Sequence, residues 1–171
     1  MTQVNGKSGI DPLDLRRAFG RFGTGVTVIT TRSKQDTQVG ITANSFNTVS
    51  LDPPIVLWSL ASASPNLESF HDSGYFIVNV LTLSQLEVSK RFSKSSNNKF
   101  SGVEYTLGIN GIAALVGCAA TIECSVVSTQ KVGDHVLFIG KVERYSHMHA
   151  DPLLFYNGKY IKGVDLSPIS A

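Results

Sequence analysis

Apolar residues along this chain recur at two periods, and the switches between them mark its elements. Asp11-Pro12-Leu13-Asp14 reads as a helix start, with Asp as N-cap, Pro at the first helical position and a second acid in the first turn. Leu15, Ala18, Phe19 and Phe22 follow at helical spacing until Gly23, so this helix is expected to lay its apolar side on the sheet or barrel that follows. Thr24 to Thr31 is rich in β-branched residues and reads as a strand; Ser33 to Gln38 is polar and reads as a turn. Ile55 to Leu60, a continuous apolar run containing Trp58, suits a strand buried on both faces. Ser64-Pro65 predicts a second helix, running through Leu67 and Phe70 to about Asp72. Tyr75 to Leu81 predicts a strand in which Asn79 is a lone amide in apolar company. Ser84-Gln85-Leu86-Glu87 has the form of a capping box opening a third helix from Gln85 to about Phe92. Ser93 to Ser101, with Asn97-Asn98-Lys99, is loop-like.

From Gly111 onward the strand pattern returns over Ile112 to Leu115, Ala119 to Ser128, His135 to Tyr145 and Leu153 to Ile161, with Lys131-Val132-Gly133-Asp134 as a connection. No repeat, low-complexity tract or linker divides the chain. Six or more largely sequential strands with three short helices predict a mainly β fold, an antiparallel β-barrel with peripheral helices. One domain over residues 1–171 is expected.

One stretch departs from the two-faced pattern. From Gly40 to Pro54, read at the strand period, Thr42, Asn44, Phe46, Thr48 and Ser50 fall on one side. Ile41, Ala43, Ser45, Asn47, Val49 and Leu51 fall on the other. Hydroxyls and amides therefore occupy both faces, between the apolar runs Val26 to Ile29 and Ile55 to Leu60. Buried without partners, such groups cost about 1–3 kcal/mol each. Two readings follow: a polar strand-to-loop transition ended by Asp52-Pro53-Pro54, or a binding surface for a ligand rich in carbonyls, ring nitrogens and phosphate oxygens.

Composition narrows the class. Charged residues make up 16% of the 171, below the roughly 25% of typical domains, which suggests surface hidden in a homo-oligomer. A net charge of +2 and no alternation of aromatic and basic residues argue against nucleic acid. No apolar run approaches the roughly 20 residues of a membrane span, and Met1 to Asp14 lacks the apolar segment of a signal peptide. A cytoplasmic protein is expected. Cys118 and Cys124, read as lying on one face of one strand, would be roughly 20 Å apart at about 3.3 Å per residue, beyond disulfide reach. Both are expected to be small buried hydrophobes.

Candidate chemistry is thin. Gly23-Thr24-Gly25 is followed by Val28 where a dinucleotide fingerprint needs its third glycine, and neither a phosphate-binding loop nor a Gly-x-Ser-x-Gly elbow occurs. His147-Met148-His149 has no third ligand at metal spacing and reads as a surface loop. None of His71, His135, His147 and His149 pairs with an evident nucleophile. A reaction whose hard step belongs to a bound cofactor needs positioning and stacking more than acids or nucleophiles, and hydride transfer between two flat rings is one such reaction.

Five motifs then stand in order: Thr24-Gly25-Val26-Thr27-Val28-Ile29-Thr30, Gly40-Ile41-Thr42-Ala43-Asn44-Ser45-Phe46, Val49-Ser50-Leu51-Asp52-Pro53-Pro54, Gly133-Asp134-His135, and the run from Pro152 to Tyr160. From about Leu15 to Tyr160 the chain resembles the short-chain flavin reductases of two-component flavin-dependent monooxygenases, the reductase partners of phenol and 4-hydroxyphenylacetate hydroxylases. The resemblance implies an FMN-binding split barrel that works as a homodimer. NADH or NADPH would reduce FMN or FAD, and the reduced flavin would leave for a separate monooxygenase.

Carried onto this sequence, the resemblance implies that Thr42, Ala43, Asn44, Ser45 and Phe46, with Thr48 and Val49, line the isoalloxazine and ribityl chain. Ala63, Ser64, Pro65, Asn66, Leu67 and Phe70 would meet the flavin phosphate side, where Ser64 at a helix N-terminus would offer free N–H groups. Phe92 and Ser93 would also face the flavin. His135 matches the histidine associated with the nicotinamide, by hydrogen bonding or stacking rather than proton transfer. Tyr160 and Lys159 are lesser candidates. Trp58 is bulkier than the small or aliphatic residue expected in its strand. The Lys90, Arg91, Lys94 and Lys99 cluster reads either as a solvated face or as a steering patch for anionic cofactors. Two other readings stay open: a tightly flavinylated electron carrier of the same fold, and a non-enzymatic β-barrel that binds a small ligand.

Overall fold

The computed structural model describes residues 9–96 and 98–163; the first eight residues of the Met1 to Asp14 stretch expected to lack a signal peptide, and the loop assignment of Asn97, lie outside them. In chain order the elements are α1 (Pro12–Phe19), β1 (Thr24–Gly25), β2 (Thr27–Arg32), β3 (Gln38–Ala43), β4 (Asn47–Leu51), β5 (Pro54–Ala61), α2 (Leu67–Ser73), β6 (Tyr75–Val80), α3 (Leu86–Phe92), β7 (Tyr105–Leu107), β8 (Ala113–Leu115), β9 (Ala120–Val132), β10 (His135–His147), β11 (Leu153–Tyr156) and β12 (Lys159–Lys162). The fold is mainly β, and every strand pairing is antiparallel.

Seven strands form the main sheet in the order β3-β2-β6-β9-β10-β5-β4. Its two edge strands, β3 and β4, are consecutive in the chain and joined only by residues 44–46. A link this short forces the sheet to curl until its edges nearly meet, since an extended residue spans at most about 3.3–3.6 Å. The ladder nevertheless stays open between β3 and β4, so the closed barrel expected from the sequence is not formed by backbone pairing. Ser45, in the corner, ties it down instead: its Oγ donates to the Ser59 carbonyl at 2.9 Å and accepts from the Ser59 N–H at 3.0 Å. The stretch read as one alternating strand is thus two strands and a corner.

Inside the curl, Trp58, Phe70, Phe76 and Phe138 are fully buried beside Ile29, Val56 and Val78. Trp58 stacks on Phe138 at 4.7 Å and meets Phe70 edge-on at 4.8 Å. Its bulk, unexpected from the resemblance, serves this core. Asn79 is satisfied completely: Nδ2 donates to the Val28 carbonyl at 2.9 Å and to Thr30 Oγ1 at 3.1 Å, and Oδ1 accepts from the Leu115 N–H at 2.8 Å. A second apolar cluster, with Val26, Leu81, Phe92 and Leu153, underlies α3 and the β11–β12 hairpin.

Several expectations need correction. Asp11 does cap α1, accepting from Leu13 N–H at 2.9 Å, but the helix buries no residue, and Phe19 and Phe22 are 68% and 78% exposed. A backbone bond from Asn157 N–H to the Gly20 carbonyl at 2.8 Å anchors its end, while its apolar side faces outward in the single chain. The predicted second helix starts two residues late, at Leu67: Ser64 and Pro65 form a turn in which Ser64 Oγ accepts from Asn66 N–H at 3.3 Å. The capping box is Thr82 with Gln85, not Ser84 with Glu87; Gln85 Oε1 accepts from Thr82 N–H at 3.0 Å, and Glu87 instead pairs with Lys90 at 2.7 Å. Val26 interrupts the first predicted strand, and Asn157-Gly158, both at positive φ, fold the last one into a hairpin. Cys118 precedes β9 rather than sharing it with Cys124; burial pushes the two thiols up to about 11 and about 12.

Candidate active site

A cleft that gathers several of the predicted residues opens between the end of β3 and the end of α3, with the β5–α2 turn as its third wall. It encloses about 530 Å³ and is lined by Ile41, Thr42, Leu60, Ala61, Ser64, Pro65, Asn66, Phe92, Ser93 and Lys99, with Lys94, Ser95 and Ser96. That volume lies within the ~300–1,000 Å³ of small-molecule sites. Local sequence explains the geometry. Gly40 lets α3 approach β3 closely, because a Cβ there would meet the Phe92 ring at 2.6 Å. Thr42 Oγ1 then donates to the Ser89 carbonyl at 2.6 Å, stitching strand to helix, and Ser89 Oγ bonds the Tyr160 hydroxyl at 2.9 Å from behind. With its one proton committed to Ser89, the Thr42 hydroxyl can only accept from a ligand.

Six of the predicted residues, Thr42, Ser64, Pro65, Asn66, Phe92 and Ser93, meet in this cleft. Others lie elsewhere. Ala43, Phe46 and Leu67 pack against the core, and Phe70 is part of it. Ser45 spends its hydroxyl on Ser59, while Asn44 and Ala63 are exposed beside the corner and the turn. Thr48 and Val49 are exposed on the opposite sheet edge. Tyr160 reaches the cleft only through Ser89.

His135 opens β10 directly across from Ala61, a cleft residue. Residues facing each other across an antiparallel pair share a side of the sheet, so the imidazole lies on the face of the Ala61 side chain but is not itself part of the cleft lining. It is half exposed, and Nδ1 lies 2.7 Å from the Asp134 carboxylate, which the imidazole holds below its ordinary pKa. An Nδ1–H given to Asp134 leaves Nε2 free to accept from an incoming group.

Lys99 was only one member of a charged cluster in the sequence, yet it is a cation of the cleft held by two of its walls. Its Nζ donates to the Gly40 carbonyl at 3.1 Å and the Phe92 carbonyl at 3.0 Å, bridging the two walls. Burial lowers its pKa. Nothing in the local sequence distinguishes it from Lys94, which also lines the cleft but bonds neither wall carbonyl. A larger groove of about 600 Å³, between Thr82 and Asp151, holds none of the predicted residues.

Comparison with known proteins identifies the family. The family described as "Flavin reductase like domain" matches residues 19–163. A Rhizobium meliloti (strain 1021) protein named "Probable flavin reductase" is 41% identical over 150 residues, 88% of this chain but 48% of its own length. The chain thus spans about half of that relative. The "Flavin-dependent monooxygenase, reductase subunit HsaB" of Mycobacterium tuberculosis (strain ATCC 25618 / H37Rv) is 41% identical over 154 residues, 88% of this chain and 82% of that protein. Among solved structures, the NADH:FAD oxidoreductase SgcE6 of Streptomyces globisporus C-1027 superposes with a TM-score of 0.86 at 31% identity, covering 93% of this chain and 99% of that one. The chain belongs to the flavin reductase like domain family.

Proposed function

We propose that the chain is an NAD(P)H:flavin oxidoreductase that reduces FMN or FAD and releases the reduced flavin to a partner monooxygenase. The observation that carries this reading is the cleft between β3 and α3, with an apolar floor at Ile41, Leu60 and Phe92, a hydroxyl rim, and the Lys99 ammonium between two backbone carbonyls. A flat apolar ring with a polar, anionic tail fits that combination. When bound, the flavin supplies the hydride acceptor and the nicotinamide the donor.

The chain's own residues bind and orient. Thr42 accepts from a ligand N–H or hydroxyl, Lys99 holds a phosphate, and Phe92 backs the ring. His135 Nε2 accepts from the nicotinamide carboxamide, its ring steadied by Asp134. No side chain needs to move a proton at the reacting carbon, in keeping with a cleft wall that, among the described residues, contains no carboxylate, histidine or cysteine. The split-barrel assignment goes with this reading, in which residues 1–171 act as one domain. So does a homodimer, supported by the exposed Phe19, Phe22, Val49 and Leu51, the last 94% exposed. Among the described residues no helix is long and apolar enough to cross a membrane, and we place the activity in the cytoplasm, where reduced nicotinamide is supplied.

The test is steady-state oxidation of NADH and of NADPH with added FMN or FAD. Turnover with at least one of the four combinations is expected; none with any of them defeats the proposal. A flavin that stays bound through gel filtration would favour the electron-carrier reading instead.

A further inference from the structure

Two residues of the cleft wall hang from one carbonyl. The Ser89 carbonyl accepts from Thr42 Oγ1 at 2.6 Å and from Ser93 N–H at 3.1 Å, and both donors line the cleft. Ser93 Oγ donates to the Lys90 carbonyl at 2.9 Å, so its hydroxyl, like that of Thr42, has only acceptor capacity left for a ligand. Where these groups point therefore depends on where the Ser89 peptide sits. Ser89 itself is fully buried in α3 and is no part of the cleft lining.

A buried serine inside a helix has as its local partner the carbonyl four residues before it, and that bond bends the helix. Ser89 Oγ instead bonds the Tyr160 hydroxyl at 2.9 Å. Tyr160 comes from β12, and its hairpin is anchored independently of the cleft. The ring meets Phe155 edge-on at 5.3 Å, and β11 pairs with β1. Leu153 N–H donates to the Leu81 carbonyl at 3.0 Å, and the Leu153 carbonyl accepts from Val26 N–H at 3.1 Å. A line of hydrogen bonds thus runs from an anchored hairpin through Ser89 to Thr42, and Tyr160, where it begins, is no part of the cleft lining.

We propose that Tyr160 is a positioning residue for flavin reduction. Acting through Ser89, it fixes the carbonyl that orients the Thr42 hydroxyl, and so sets flavin affinity from behind the cleft wall. The proposal rests on the flavin-reductase reading, and it gives Tyr160 a role other than the direct cofactor contact that the resemblance implied.

The experiment measures melting temperature and the Kd for FMN and for FAD in the full chain, as wild type, Tyr160→Phe, Thr42→Val and the double variant. Tyr160→Phe keeps the ring against Phe155 and removes only the hydroxyl. It should raise the Kd of whichever flavin binds roughly tenfold. In the Thr42→Val background, which has no hydroxyl to orient, the same change should shift Kd less than about twofold, because the two residues act along one path. A merely structural role would lower the melting temperature and multiply with Thr42→Val, as independent sites do. Ser89→Ala breaks the line at its middle and should reproduce the Tyr160→Phe rise; it stands in for that variant should the latter not fold. A folded Tyr160→Phe protein with wild-type Kd, or effects that multiply in the double variant, overturns the proposal. A wild type that binds neither flavin brings down the reductase reading with it, whereas a wild type that binds flavin no better than Tyr160→Phe brings down this inference alone.

Discussion

The core around Trp58 and the rim between β3 and α3 lie along neighbouring strands, yet they treat polar groups in opposite ways. In the core, Asn79 has every strong valence filled by its own chain, and four aromatic rings exclude everything else. The one exception is the Trp58 indole N–H, buried without a partner. At the rim, hydroxyls and an ammonium are only part satisfied: Thr42 keeps its acceptor capacity and Lys99 its third donor. The difference teaches where stability and binding are invested. Internal closure stabilises the fold, and valences left open toward a cleft are available to a ligand.

That contrast can be broken by mutation, most severely in the core. Phe138→Ala removes the ring stacked on Trp58 and should cost about 3–5 kcal/mol in urea unfolding, enough to leave little folded protein. Gly40→Ala drives a methyl into the Phe92 ring and should cost about 1–3 kcal/mol while lowering flavin affinity, because β3 and α3 must move apart. A melting temperature and flavin Kd equal to wild type would show that the two elements are not held at contact distance.

Smaller effects sharpen the picture of the rim. Thr42→Val leaves the Ser89 carbonyl without its donor and should cost about 1–3 kcal/mol, with a rise in flavin Kd. His135→Ala should raise KM for NADH severalfold with flavin Kd unchanged, and Asp134→Ala should do the same more weakly by freeing the ring. Asp134 is fully exposed, so the pairing acts on orientation rather than stability. Its pKa is depressed when paired, so the contact is complete above the ordinary carboxylate range and is lost as pH falls through the lowered value. Smallest of all, Cys118 and Cys124 should resist alkylation near neutral pH until the protein unfolds, since burial suppresses both thiolates.

Much of this was legible in the chain. Asp11-Pro12 gave the helix start, Val-Ile-Leu runs the central strands, and Gly133-Asp134-His135 the hairpin that carries His135. What the periodicity could not show was where a polar stretch breaks. Residues 44–46 look as strand-like as their neighbours, and only the closeness of the two sheet edges makes them a corner. Ser64-Pro65 carried a helix-start signal, but the chain spends those residues on a turn, with Ser64 accepting from Asn66. Phe70 lay in the stretch assigned to the phosphate side, but a helical period turns it onto Trp58. Lys99 was hidden for another reason. A lysine in a polar loop reads as solvated, and its role depends on two carbonyls from elements 59 and 7 residues away.

The central claim is that the β3–α3 cleft is the flavin berth, and a crystal structure of the flavin complex tests it most directly. The account predicts the isoalloxazine between Thr42 and Phe92, with the phosphate within hydrogen-bond distance of Lys99. A ring bound in the larger groove between Thr82 and Asp151, with the β3–α3 cleft empty, would contradict it.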